Sequence, residues 1–217
     1  MASAEAIAAV APYLQWLRRD GEDTAADLES FCALLAKWQR VKNLVSRETL
    51  DELWTRHVAD SLQVLKLLGP NDRNFLDLGS GGGFPAIPIA IALKGSDASF
   101  TLVEPNARKA SFLRTVAREL DLAVSVEAKR SDEIDSRETI SPDVITSRAL
   151  ASLPALCGMA EPFFGPETRA IFHKGREYGE ELTESRAVWH HDVVIVPSDT
   201  SETGVLLELR NLRLKTN

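Results

Sequence analysis

Two acidic residues and a run of glycines carry the first chemistry in this chain. The apolar stretch Phe75-Leu76-Asp77-Leu78 ends in Gly79-Ser80-Gly81-Gly82-Gly83-Phe84-Pro85 and runs on into an apolar segment. Glycine is required where a backbone takes positive φ or lets a ligand come close. A strand, an acidic residue, a tight turn and a helix start in this order form a nucleotide-type cofactor site; a plain turn is the simpler alternative. The dinucleotide fingerprint Gly-x-Gly-x-x-Gly would need its third glycine at position 84, and Phe84 stands there. The pattern therefore turns from NAD and FAD toward a smaller adenosine cofactor with no pyrophosphate. Gly79, Gly81, Gly83 and Phe84 would lie against that ligand. Asp77 would face a cationic amine on it, or would serve only to accept N–H groups of the loop. Glu104 closes the next apolar run, Phe100-Thr101-Leu102-Val103, about 20 residues beyond the turn, where a carboxylate accepts ribose hydroxyls. Ser131 and Asp132 follow a third apolar run and are candidates for the adenine amine, or for capping a helix.

The second group is basic. Arg148 follows the run Asp143 to Ser147, where the crevice of an open α/β sheet should lie, and suits a phosphate, a base edge or a carboxylate. Lys174 ends the next run. Arg108, Lys109, Arg114 and Arg118 share one helix face, which Lys37, Arg40, Lys42 and Arg47 would extend. Solvated charge is the simple account of that face, and phosphate contact the functional one. His57 and Ser61 fall on the apolar side of a helix, with Arg56 and Asp60 beside them. Helix packing is one reading, and a roof over the cofactor pocket the other.

Elements to position these residues follow from hydrophobic periodicity. Residues 1–70 read as helical: a helix from Ala4 to Arg19 ended by Gly21, a second capped by Asp23 or Thr24, and a third from about Glu48 to Leu68. Gly69-Pro70-Asn71-Asp72 marks a boundary between this N-terminal helical region and a domain over 71–217. Strands are expected at 74–78, 99–103, 122–127, 142–147 and 168–174, alternating with helices at 86–94, 106–120, 149–164 and 176–187. That order implies right-handed βαβ units on a parallel sheet. The last runs, His191 to Val196 and Val205 to Arg210, form a hairpin, so the sheet has seven strands with the final one reversed.

With 217 residues, of which 44% are hydrophobic, the chain can bury a sizeable core. No run is long enough to span a membrane, and no basic segment precedes an apolar one as in a signal peptide. Cys32 and Cys157 lack metal-ligand spacing and suit reduced thiols in the cytoplasm. The net charge of −7 counts against a non-specific nucleic-acid binder but not against a local basic face. No heptads are evident, and a monomer is expected.

Taken together these segments resemble the Rossmann-like methyltransferases that use S-adenosylmethionine. They resemble one family closely, the glucose-inhibited division protein B family. The resemblance rests on Lys37-Trp38 with Asn43-Leu44; Trp54-Thr55-Arg56-His57 with Asp60-Ser61; Asp77 to Pro88; Glu104 with Arg108-Lys109 and Phe112-Leu113-Arg114; Ser147-Arg148-Ala149 with Ala151-Ser152-Leu153; and Lys174-Gly175. It implies S-adenosylmethionine as cofactor and 16S ribosomal RNA, free or in the small subunit, as partner, with methylation at N7 of guanine 527. It places Gly79 and Phe84 beside the cofactor, Glu104 on its ribose, Ser131-Asp132 near its adenine and Arg148 at the edge of the transfer pocket. Ala86 departs from the glycine usual after the proline, and Arg210 to Lys215 replace a basic, Pro-rich tail. Two other readings stay open: the same fold acting on a small molecule or a protein, and a cofactor-binding module without catalysis.

Overall fold

A computed structural model describes residues 2–39, 52–134 and 141–216. Helix α1, Ala4–Val10, gives way to a 3-10 turn over Ala11–Trp16, because Pro12 has no N–H to continue an α-helix. The chain re-enters a helix at α2, Gly21–Gln39. Asp20 caps it, its Oδ1 accepting the N–H groups of Glu22 at 2.8 Å and Asp23 at 3.3 Å. Gly21 thus opens the second helix rather than closing the first. A side chain there would strike Leu14, since a Cβ would lie 2.5 Å from its Cδ2. The third helical segment, α3, starts as π-helix over Trp54–Ala59, passes through an α turn at Asp60–Leu62 and ends as 3-10 over Gln63–Leu67. The start expected for it near Glu48, and Arg40, Lys42, Asn43-Leu44 and Arg47, lie outside the described residues.

The sheet follows the expected order. Strands β1 (Asn74–Leu78), β2 (Ser99–Val103), β3 (Val124–Glu127), β4 (Val144–Arg148), β5 (Arg169–Lys174), β6 (Trp189–Pro197) and β7 (Val205–Leu214) lie in the order β3-β2-β1-β4-β5-β7-β6. The first five are parallel, and β7 runs antiparallel to both β5 and β6. Helices α4 (Ala86–Ala92), α5 (Ala107–Glu119), α6 (Leu153–Ala160) and α7 (Tyr178–Val188) fill the connections. α6 is shorter than the apolar run suggested. Its entry is delayed by the turn at Ala149, whose φ is +54°, and it passes into a 3-10 turn at Glu161–Phe163.

Both faces of the central parallel strands β1, β4 and β5 are covered, which is why they are largely apolar, whereas the edge strand β3 buries none of its residues fully. Successive residues of β1 enter different cores. Phe75 packs with α1–α5, whereas Leu76 and Leu78 pack with α6, α7 and the inner residues of β7. The N-terminal helices share the first core with α4 and α5. Phe31 of α2, fully buried, packs tilted against Phe84 at 5.2 Å and stacks on Phe112 at 6.4 Å. No helix among the described residues is long and apolar enough to cross a membrane.

Candidate active site

Strand order reverses between β1 and β4, and ligands of open α/β sheets bind at the carboxyl ends of strands at such a switch point. Asp77 and the glycine turn lie at this end of β1, Arg148 at that of β4, Lys174 at that of β5, Glu104 after β2 and Ser131-Asp132 after β3. The topology brings the predicted residues to one edge.

The turn itself is tightly specified. Gly79, Gly81 and Gly83 have φ of +69°, +53° and +94°. A Cβ at Gly81 would meet nothing nearer than the Gly79 carbonyl at 3.7 Å, which leaves open backbone for a ligand to approach. Glu104, 5% exposed, closes the turn from the next strand. Its Oε2 accepts the Gly81 N–H and its Oε1 the Asn106 N–H, both at 2.8 Å. Asn106 then caps α5 through the N–H groups of Arg108 and Lys109. The expected ribose carboxylate is therefore also the buttress of the loop, a second role that its spacing alone did not disclose.

Asp77 is fully buried. Thr146 Oγ1 donates to its Oδ1 at 2.6 Å, and the neighbouring Ser147 hydroxyl donates to the Leu78 carbonyl at 2.8 Å, so β4 clasps β1. Among the described residues, Asp77 Oδ2 is a buried oxygen with no hydrogen-bond partner. Burial raises the Asp77 carboxyl to a pKa of about 7, against the lowering effect of its hydroxyl partners. An orphaned buried carboxylate oxygen, open turn backbone and a second buried carboxylate fit a ligand with a cationic amine and vicinal hydroxyls.

Phe84, in place of a third glycine, forms a floor. His57 of α3 packs on its ring at 4.9 Å, and the Arg148 guanidinium lies over it at 5.2 Å. Arg148 Nη1 donates to the Arg56 carbonyl at 2.8 Å and to Asp60 Oδ2 at 2.9 Å, while Nη2 meets His57 Nδ1. Burial, then the Arg148 charge, lowers His57 to a pKa of about 4, so it is neutral and accepts from Arg148. The helix carrying His57 does roof the turn; Ser61, bonded to the His57 carbonyl at 2.6 Å, is the packing residue.

Beyond Arg148 opens a cleft of about 860 Å³, lined by α3, the ends of β4 and β5, and the β6–β7 loop. Arg56, Arg148, Lys174 and Arg176 line it together with Asp60 and Glu202, and the first three of those cations are paired with Glu52, Asp60 and Glu181. Lys174 is already engaged there, donating to Glu181 at 2.6 Å and to the Ala151 carbonyl at 3.0 Å. The other basic candidates stand elsewhere. Arg108, Lys109 and Arg114 lie on α5, between β2 and β3; Arg114 donates to the Val126 carbonyl. At the adenine end Asp132 faces Arg130, and Glu133 makes the capping contact instead, at 2.9 Å from the Arg130 N–H. Sequence reasoning missed Thr146, Leu150, Arg176 and the β6–β7 loop. Leu150 leans on the turn closely enough that a Cβ at Gly79 would lie 2.6 Å from it. Only the position of Thr146, two residues before Arg148 on a strand beside β1, carried any signal.

Similarity to known proteins agrees with this geometry. Residues 24–203 match the GidB family, described as rRNA small subunit methyltransferase G. The chain is 43% identical over 192 residues to a ribosomal RNA small subunit methyltransferase G of Cereibacter sphaeroides, covering 88% of this chain and 92% of that protein. It is 43% identical over 197 residues to one of Brucella ovis, covering 90% and 91%. Its fold resembles a SAM dependent methyltransferase from Aquifex aeolicus, with a TM-score of 0.57 at 14% identity over 82% of this chain and 97% of that one. It also resembles Aeropyrum pernix fibrillarin crystallised with natively bound S-adenosyl-L-methionine, with a TM-score of 0.51 at 16% identity over 64% and 66%. On the family match and the two curated relatives, the chain belongs to the GidB family of small-subunit rRNA methyltransferases.

Proposed function

We propose that this protein transfers a methyl group from S-adenosylmethionine to N7 of guanine 527 in 16S ribosomal RNA. The observation that carries the reading is the junction at Arg148. The glycine turn with its two buried carboxylates and the cleft lined by guanidinium groups meet at Arg148, which lies over the Phe84 ring. The first suits a cofactor bearing an amine and a ribose, and the second a nucleotide.

S-adenosylmethionine supplies an electrophilic methyl on a sulfonium. The chain's own residues hold and orient it. Asp77 Oδ2 takes the amine, Glu104 the ribose hydroxyls through the lone pairs left after Gly81 and Asn106, and Ser131-Asp132 the adenine edge. Gly79, Gly81, Gly83 and Phe84 define the surface it lies on. Guanine N7 presents a lone pair and has no proton to lose, so the transfer needs no general base. The chain's residues would hold the bound cofactor's methyl in line with that lone pair, so that transfer leaves a neutral thioether and passes the positive charge from sulfonium to base. Catalysis is then proximity and orientation, with electrostatics set by Arg148 and its partners.

The side chains present suit that chemistry. His57 is neutral and committed to Arg148. The buried thiols of Cys32 and Cys157, pushed up to about 12 and about 11 by desolvation, are poor nucleophiles. A-form major grooves are too narrow for side chains, so the target base is splayed from a loop into the 860 Å³ cleft. Lys174 on the cleft, and Arg108, Lys109 and Arg114 away from it on α5, are the phosphate-contact candidates. A monomer of two parts, a helical region over 1–70 and a methyltransferase domain over 71–217, working in the cytoplasm, completes the reading.

The test is transfer of labelled methyl to small-subunit particles, free 16S rRNA, proteins and small metabolites, followed by mapping of the modified base. Label at N7 of guanine 527 is expected. Label on a metabolite or a protein, or cofactor binding with no turnover on any acceptor, would replace the proposal with one of the other two readings.

A further inference from the structure

We infer that Asp60 is the positioning residue of the acceptor cleft, joining α3, the end of β4 and the β6–β7 loop through one carboxylate. The inference rests on the reading of that cleft as the place of the acceptor base. Asp60 Oδ1 accepts from Gln63 Nε2 and from Thr200 Oγ1, both at 2.7 Å. Its Oδ2 accepts from Arg148 Nη1 at 2.9 Å, and its backbone carbonyl from His173 Nε2 on β5 at 2.9 Å. Four separate elements that line the cleft thus meet at one residue. Gln63 extends the tie, since its Oε1 accepts the Asp199 N–H at 3.0 Å and its Nε2 lies 3.3 Å from the Ser198 hydroxyl. Tyr13 and Lys66 both bond the Asp199 carboxylate, which anchors the same loop from the outside.

The arrangement answers two needs of the reaction. A loop left to wander would have to be ordered at each encounter with RNA; a docked loop spares that entropy. The second need is electrostatic. Methylation puts a positive charge on the purine, and an uncompensated guanidinium beside it would oppose the transition state. Asp60 and Arg148 are mostly buried, at 16% and 15% side-chain exposure, so their pairing is little screened by salt. Asp60 therefore lets Arg148 serve as a fixed hydrogen-bond donor while its net charge is cancelled. The bonds to Thr200 and Gln63 exceed what a simple ion pair requires and point to the loop as part of the same device.

The experiment separates cofactor binding from RNA turnover in Asp60→Asn and Thr200→Val, with small-subunit particles as substrate. The asparagine keeps the shape but replaces one acceptor oxygen by a donor. For Asp60→Asn, kcat falls at least about tenfold while the Kd for S-adenosylmethionine stays within about twofold. Thr200→Val removes the loop's donor to Asp60 together with the Thr200–Ser198 hydroxyl contact inside the loop, and KM for RNA rises about fivefold while kcat changes much less than in Asp60→Asn. Thr200→Ser restores the wild-type KM. Wild-type kinetics in Asp60→Asn, or a loss of turnover matched by an equal loss of cofactor affinity, overturns the inference. If Asp60→Asn does not fold, Thr200→Val decides, and an unchanged KM overturns it. Failure of the wild-type protein to label any RNA is a different result, because it removes the reading of the cleft.

Discussion

On the proposed cofactor side of the site, neighbours in sequence do most of the work; on the proposed acceptor side, distant residues do. Gly79 to Phe84 is one continuous turn, and Glu104 reaches back only 23 positions to Gly81. Arg148 meets Asp60 across 88 positions and Thr200 meets it across 140. The binding forces differ as well. The turn is shaped by backbone conformation and by apolar packing with Phe31, Phe112 and Ile87. The acceptor side is tied by charged and polar side chains, with Asp60, Arg169 and Asp199 as the joints. Damage to one side should therefore be felt differently from damage to the other.

The largest effect is expected below the acceptor cleft. Arg169 opens β5, is 10% exposed in its side chain, and pairs with Asp72 at 2.5 Å and Glu208 at 3.3 Å. It also donates to the Leu67 carbonyl at 2.8 Å, which ties the end of α3 to the sheet. Arg169→Leu leaves Asp72 buried without its cation and Glu208 with Arg210 alone, a loss of about 4 kcal/mol. Urea unfolding measures it. The cofactor Kd of the folded protein should hold, and a loss under about 1 kcal/mol would mean that the charged joints do not support this side.

Gly83→Ala attacks the other side. Its φ of +94° disfavours any side chain, and a Cβ would stand 2.7 Å from Ile87 Cγ1 and 3.2 Å from Leu113 Cδ2. Strain and overpacking together cost about 3 kcal/mol. Cofactor affinity falls with stability here, in contrast to Arg169→Leu. Calorimetric titration beside the unfolding curve separates the two cases.

The same contrast explains what can be read without the fold. The parallel strands, the reversed last strand, the glycine turn and Glu104 are legible because a buried strand is an apolar run and a tight turn is a glycine run. Asp60 reads only as a residue on the side of a helix, because its partners are on β4 and in a hairpin loop, which no local spacing reports. Arg176 follows Lys174 by two residues and shows no pattern of its own. Lys174 looks like a free cation in sequence, and only the packing of α7 puts Glu181 against it. The start of α2 is misread for a simpler reason: glycine reads as a helix end, yet Asp20 before it supplies the cap that begins one.

Asp77 sharpens the comparison through pH. With its carboxyl raised by burial to about 7, the unliganded folded protein holds a proton there that the unfolded chain gives up nearer 4. Stability of the unliganded protein falls as pH rises through that window, because the folded state binds the extra proton. Asp77→Asn removes the dependence and raises the melting temperature at pH 8 by roughly 3–6 °C. If the ionised carboxylate holds the cofactor amine, as proposed, wild-type cofactor affinity climbs between about pH 6 and 8. The asparagine variant should be flat and about tenfold weaker at pH 8. Parallel pH profiles for the two proteins would remove the amine assignment.

The smallest effect concerns where RNA phosphates rest, on the rim of the acceptor cleft or on α5. Arg176 is exposed beside the cleft, and Arg108 is exposed at the start of α5, past the cofactor turn. Removing a cation that neutralises one phosphate lowers the slope of RNA affinity against salt by about 0.7 to 0.9 in a log–log plot, with little change in kcat. Arg176→Ala is expected to show that reduction with KM raised about threefold, and Arg108→Ala a smaller one. The order matters more than the size. If Arg108→Ala flattens the salt dependence and Arg176→Ala leaves it intact, the RNA enters over the cofactor side. The division of labour between the two sides would then have to be redrawn around α5.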